Sequence, residues 1–308
     1  MIKIEMPRKE LTVAPEVTIG NRKRFSTATA VAFITDTLFV SAAFNSRKLY
    51  LVEITAEGHN ILQEVKTKHS PDLMKYKDGV ILTSDYPHGE PNGHASIYDF
   101  IEGRIVFRKE IALINTKAHG CCIIDDKTII ITSNSDHNKG LLFIDVNSNK
   151  IIKHFNNFQH YPKDVCIVED VLFIVCAASL PQIGQTTVIK ESIVYAFDKN
   201  TLEKIDEATF HGQTDSIVVN GEDGFITVQG DDTVLHFKYV DNKLHIEKRI
   251  GGFNFPHGID YKNNRIAITN YGDNTIRVFN VQELINYVFL FLYYLPIVII
   301  KLTNNKNK

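Results

Sequence analysis

One pattern recurs along this chain and limits what it can fold into. Its clearest copy is FPHGIDYKNNRIAITNYGDNTIRVFNV, residues 255–281. It reads as a Pro-x-Gly step, a short strand, a polar turn, a strand ending in Thr, a loop, and Ile-x-Val-Phe. Residues 118–146 (AHGCCIIDDKTIIITSNSDHNKGLLFIDV) repeat it closely, and 28–53, 70–100, 162–197 and 213–240 repeat it with longer loops or a plainer start. The anchors fall near residues 29, 71, 119, 163, 214 and 257. Most copies are followed by one more strand, as in KIIKHF, EKIDEATF and LHIEKRI. Apolar runs of four to six residues broken by Asp, Asn and Gly, with almost no helical period, argue an all-β fold. Four strands at this period, repeated six times, predict a six-bladed β-propeller.

The sixth copy has only three strands before the chain turns hydrophobic at Leu284. An open edge strand invites aggregation, so a closed ring must fill that gap. The spare strand-like segment is LTVAPEVTIG, residues 11–20, which is expected to close the last blade from outside. Residues 1–282 then form one propeller domain, expected to be monomeric, and 283–308 a separate hydrophobic C-terminal segment.

Propeller topology sorts the loops. The turns between first and second strands (ITDT, YKDG, DDK, VED, GEDG, YKNN) are short and share one face. The loops between second and third strands share the other, top face, and are longer: 85–94, 134–140, 177–192 and 270–274. Long loops on a rigid scaffold are where binding residues sit. The candidate ligand-binding residues are therefore His88, Glu90, His94, Asp136, His137, Asn270, Tyr271 and Asp273. Asp85, His88, Glu90 and His94 have metal-ligand chemistry, but Gly89, Pro91 and Gly93 make this a loop, not a metalloprotease helix. Asp and Asn in such loops are also ordinary turn formers.

PHGIDYKNNRIAITNYGDNTIRVFNV resembles the repeat of six-bladed NHL, YVTN-lactonase and gluconolactonase-type propellers. The resemblance spans nearly the whole chain and specifies a fold more than an activity. It implies a divalent metal near the central channel, held by acidic and amide side chains at the strand starts. Carried over, the variable position of Pro-x-Gly falls on His257, His119, Lys163, Thr214, Pro71 and Thr29. None is a carboxylate or Asn; Asp72, Asp164 and Asp215 lie one residue later. In a regular strand that step turns a side chain to the other face. His119, His257, Asp72, Asp164 and Asp215 are thus metal candidates that converge only if the strand starts are irregular. Two His with carboxylates suit zinc or iron, whereas calcium wants oxygen. His119 and His257, three blades apart, are also the candidate catalytic residues.

Two functions compete. One is a non-enzymatic binding scaffold that takes a protein or small-molecule ligand on its top face. The other is a metal-dependent hydrolase of a lactone or similar ester. No GxSxG nucleophile, phosphate loop or dinucleotide fingerprint occurs. A net charge of −2 without basic blocks sets nucleic acid aside. Cys121, Cys122, Cys166 and Cys176 sit in Ile/Val-rich runs and read as small buried hydrophobes in a reducing compartment. The N-terminus lacks the apolar region of a secretory signal. LINYVFLFLYYLPIVII, 284–300, is at the lower edge of a membrane span, yet Pro296 breaks a helix there. It reads either as a membrane segment ending near 301 or as a docking element. The localisation expected is accordingly cytoplasmic or membrane-associated. The lysines that follow place the C-terminus inside, which conflicts with a propeller that has no export signal.

Overall fold

The computed structural model describes residues 14–20, 26–87, 89–178 and 191–286. Six four-stranded antiparallel sheets follow one another around a central channel. All but the last blade run from inner to outer strand in chain order. The inner strands are Ala28–Phe33, Ser70–Lys77, Ala118–Ile123, Tyr161–Val168, Thr214–Asn220 and Pro256–Lys262. We number the blades 1 to 6 in that order.

Blade 6 is completed by the N-terminal strand Val17–Ile19, which pairs antiparallel with Thr275–Asn280. Arg265 reinforces this closure through an ion pair to Glu16 at 3.0 Å. Of the expected segment 11–20, residues 11–13 lie outside the described chain.

Hydrophobic burial is divided among six clusters, one at each junction between neighbouring blades. Ile19 and Tyr50 meet Ala267 and Val278 where the ring closes, so the N-terminal strand contributes packing as well as backbone pairing. Val281 and Leu284 are buried between blades 5 and 6 beside Phe253. The segment expected to leave the domain at 283 therefore begins packed against it. The rest of that segment, 287–308, lies outside the described residues. Among those described, no helix is long and apolar enough to cross a membrane.

The inner strands all share one irregularity. Their pairing shifts register between Ala28 and Ala30, Pro71 and Leu73, Ala118 and Cys121, Pro162 and Asp164, Thr214 and Ile217, and Pro256 and Ile259. A β-bulge inserts a residue into one strand, which locally breaks the alternation of faces. Thr29, Asp72, His119, Lys163, Asp215 and His257 occupy these bulges, one per blade.

Bulged carbonyls need partners, and second-strand hydroxyls supply them across the blade junctions. Ser84 donates to the His119 carbonyl, Thr132 to Lys163 at 2.9 Å, Thr227 to His257 at 2.7 Å and Thr269 to Thr29 at 3.1 Å. This is the physical content of the strand that ends in Ser or Thr.

The glycine of the His-Gly step is explained by close approach. A Cβ on Gly258 would overlap the Thr29 carbonyl oxygen and sit 2.8 Å from Ala30 Cα. One on Gly120 would overlap the Lys163 carbonyl oxygen and sit 2.5 Å from Asp164 Cα.

Candidate functional site

The bulges correct the expected register. Asp72 and Asp215, not Pro71 and Thr214, fill the position equivalent to His119 and His257. Asp164 remains one residue beyond its bulge and does not join them. It accepts from Ser216 at 2.7 Å and the Ile217 amide at 3.1 Å, and pairs with Lys75 at 3.1 Å.

Five ionisable side chains from five blades therefore meet at the upper end of the channel. His257 Nε2 lies 2.7 Å from Asp215 Oδ2 and 3.4 Å from Asp72 Oδ1. His119 Nε2 lies 3.0 Å from Asp215 Oδ1 and 3.7 Å from Asp72 Oδ2. Lys163 Nζ stands 3.3 Å from His119 Nε2 and 3.4 Å from Asp215 Oδ1. All five are buried, none more than 6% exposed. The two imidazoles face each other across the axis with centroids 5.9 Å apart.

Hydrogen bonding fixes the rings. Nδ1 of His119 lies 3.0 Å from the Lys163 carbonyl, and Nδ1 of His257 lies 2.9 Å from the Thr29 carbonyl. A carbonyl only accepts, so Nδ1 carries a proton in both, and Nε2 faces the channel. Two lone pairs cannot face each other at 2.7 Å, so His257 Nε2 carries a proton toward Asp215. Burial pulls the His257 pKa down, but Asp215 outweighs it and the net shift is upward. Burial likewise pushes Asp215 up, but His257, His119 and Lys163 hold it well below the carboxylate range. Asp72 is raised, because burial there outweighs its histidine neighbours.

Above this cluster Tyr86 and Tyr271 reach the surface. Tyr271 stacks on His257 at 6.0 Å and leans on Phe255 at 5.5 Å, with 38% of its surface exposed. Burial and the Asp72 charge raise the phenols of both Tyr271 and Tyr86. Asn134 takes the repeat position of Tyr86 and Tyr271, one residue past the second-strand partner of its bulge. It is fully buried, and neither polar atom of its amide has a hydrogen-bond partner. Buried amides without partners are rare and mark places where water or a ligand completes the site.

The other loop candidates do not gather there. Asp273 binds the Thr275 amide and hydroxyl and pairs with Arg277 at 2.8 Å, so it shapes its own loop. Asp136 accepts from Tyr161 at 2.6 Å, and the neighbouring His137 donates its amide to Ser135. Asn270 is buried and accepts from the Asn254 amide at 3.0 Å. His94 stacks on His69 at 3.6 Å, near Glu90, in a small recess away from the axis. His88 lies outside the described residues.

Asp85 is a buried carboxyl pushed up to about 7 by desolvation, despite hydrogen bonds from Ser96 and Thr83. Its folded pKa exceeds the unfolded value of 3.8, so the fold holds a proton that the unfolded chain has lost between these values. Stability therefore falls as pH rises through that window. Asp85→Asn is expected to stabilise the protein by about 2–4 kcal/mol at pH 8 and little at pH 4, by urea unfolding at both.

The sequence reading missed a second layer. One register step deeper, Ala32, Lys75, Cys122, Cys166, Val218 and Asp260 occupy equivalent positions in blades 1 to 6. Lys75 crosses the channel to reach Asp164 of blade 4 and the Ile217 carbonyl of blade 5, both at 3.1 Å. The available signal was a Lys and an Asp inside otherwise apolar inner strands, LMKYK and GIDYK.

A family model for the NHL repeat matches residues 253–279, the copy that carries His257. The chain bears an NHL repeat on a six-bladed β-propeller. Solved structures agree on the propeller fold. A chain of a mitotic checkpoint complex superposes with TM-score 0.61 at 10% identity, over 91% of this chain and 98% of that one. Hydrazine synthase of Kuenenia stuttgartiensis gives 0.59 at 14%, over 82% and 83%. Virginiamycin B lyase from Staphylococcus aureus gives 0.56 at 13%, over 85% and 98%. At these identities the likeness is one of fold. Comparison with curated proteins found no match.

Proposed function

We propose that this NHL-repeat propeller is a binding module, and that its ligand is a small polar molecule seated at the upper channel mouth. The observation that carries this reading is the unpartnered amide of buried Asn134, at the repeat position that holds Tyr86 in blade 2 and Tyr271 in blade 6. The ligand would complete the Asn134 hydrogen bonds and lie between Tyr86 and Tyr271. The cluster beneath would supply a fixed electrostatic floor. It also pins blades 2 to 6 to one another, so the mouth is preorganised.

A second reading, the metal-dependent hydrolase, rests on a specific arrangement. Ligand atoms of Asp72, His119 and His257 lie within 4.8 Å of one another. Both imidazoles are held through Nδ1 by backbone carbonyls, the support usual for metal-bound histidine. Calcium does not fit, since it takes six to eight oxygens. A transition metal fits the donor types, provided His257 gives up its Nε2 proton and Lys163 stays on Asp215. When bound, such an ion would polarise a carbonyl and activate water. Fold neighbours named as a lyase and as a checkpoint assembly leave both kinds of role open.

Metal analysis separates the two. Protein purified with and without chelator is expected to carry no stoichiometric metal, and zinc(II) to leave its thermal unfolding unchanged. One ion per chain, lost in the His119→Ala/His257→Ala pair, would replace the binding reading with the hydrolase.

A further inference from the structure

The lower mouth of the channel, opposite the face already described, holds a cavity of about 450 Å³. That is within the range of small-molecule pockets, roughly 300–1,000 Å³. The second layer forms its deep end, with Lys75, Cys122, Cys166, Val218 and Asp260 all in its lining. Ile123, Ile124, Ile167 and Val219 make apolar walls, and Tyr76 and Tyr261 add aromatic surface.

We propose that this cavity is a second ligand site, for a small organic anion with a ring-shaped apolar body and a carboxylate directed at Lys75. An ammonium has three donors, and Lys75 uses two, on Asp164 and the Ile217 carbonyl. The third is left for an acceptor entering from below. Lys75 stays charged at this depth: burial pulls its pKa down, but the groups around it, Asp164 foremost, together outweigh the desolvation. Asp260 Oδ2 accepts the Phe33 amide at 2.6 Å, and burial raises its pKa, which favours the protonated acid beside an incoming carboxylate. The thiols of Cys122 and Cys166 are also raised by burial, Cys122 to about 11, so they stay neutral and serve as wall. Lys77 and Lys199 stand at the rim, each with its ammonium anchored on a strand-end carbonyl. Glu169 is the opposing charge there, and Lys199 is shared with Asp170 at 2.7 Å. The deep charged donor, the apolar walls and the two tyrosines together select a ring carboxylate over a cation or a sugar.

The site is independent of the upper mouth, since the Lys75–Asp164 pair separates the two along the channel. The test is calorimetric titration of the full chain with 1-naphthoate, 1-naphthalenemethanol and 1-naphthylmethylammonium. The expected result is saturable binding of one naphthoate per chain, at least tenfold tighter than the alcohol, with no binding of the cation. Ile124→Trp and Ile167→Trp, partly exposed positions on the wall, should each weaken naphthoate at least tenfold while urea unfolding shows them folded. Tyr271→Ala, at the upper mouth, should change it less than twofold. Absence of saturable naphthoate binding, equal binding of all three compounds, loss of binding in Tyr271→Ala, or indifference to both tryptophans would each overturn the assignment.

Discussion

Asp215→Asn is expected to destabilise the protein by about 3–5 kcal/mol at pH 7, measured by urea unfolding. The substitution preserves shape and removes the carboxylate that touches Lys163, His119 and His257 together. Those groups are buried, so water cannot replace the lost partner. The pH dependence is set by the sign of each shift. The depressed pKa of Asp215 contributes stability that is present above 3.8 and lost as pH falls through the folded value. Asp215→Asn should therefore flatten the acid limb of the stability curve. His257, with its raised pKa, contributes stability that is full below 6.5 and lost as pH rises through its folded value. That alkaline loss should shrink in the same variant, because Asp215 is the main cause of the upward shift. Adding Lys163→Met should recover part of the stability by removing the stranded ammonium.

Gly258→Ala and Gly120→Ala should each lower stability by about 3 kcal/mol, because the new methyl meets backbone of the next blade. Backbone cannot rotate away as a side chain can. At Gly258 the obstruction is blade 1, so the substitution pries open the junction where the ring closes. Thermal unfolding with Gly251→Ala as control checks this. A Cβ there meets nothing within 4 Å, and the change should stay within about 0.5 kcal/mol.

Both effects depend on register, which the sequence carries only in part. The repeat, the blade number and the closing strand are legible, because period and strand length are written in the apolar pattern. Val17–Ile19 pairs with the last blade as the missing fourth strand required. The ring at the upper mouth is half legible. His119 and His257 stand out in their Pro-x-Gly or Ala-x-Gly setting, but regular alternation puts Asp72 and Asp215 on the wrong side of the strand. A bulge adds a residue without altering the composition around it, so alternation alone misplaces every side chain beyond the bulge. Asp164 follows its repeat anchor by one residue, as Asp72 and Asp215 do, and yet stays outside the ring, because in PKDV the lysine takes the bulge. Loop candidates are least legible. Asp273 and Asp136 bind their own surroundings, and no periodicity distinguishes a turn-forming Asp from a ligand-binding one. Lys75 and Asp260 are visible as charges in apolar strands, but their meeting at one depth depends on register between blades.

A double-mutant cycle on Asp215→Asn and His257→Gln, read by urea unfolding at pH 6, tests directly whether charges from separate blades meet across the channel. Contact at 2.7 Å between blades 5 and 6 predicts a coupling of about 1.5 kcal/mol or more. Additivity within about 0.3 kcal/mol would contradict it and with it the ring.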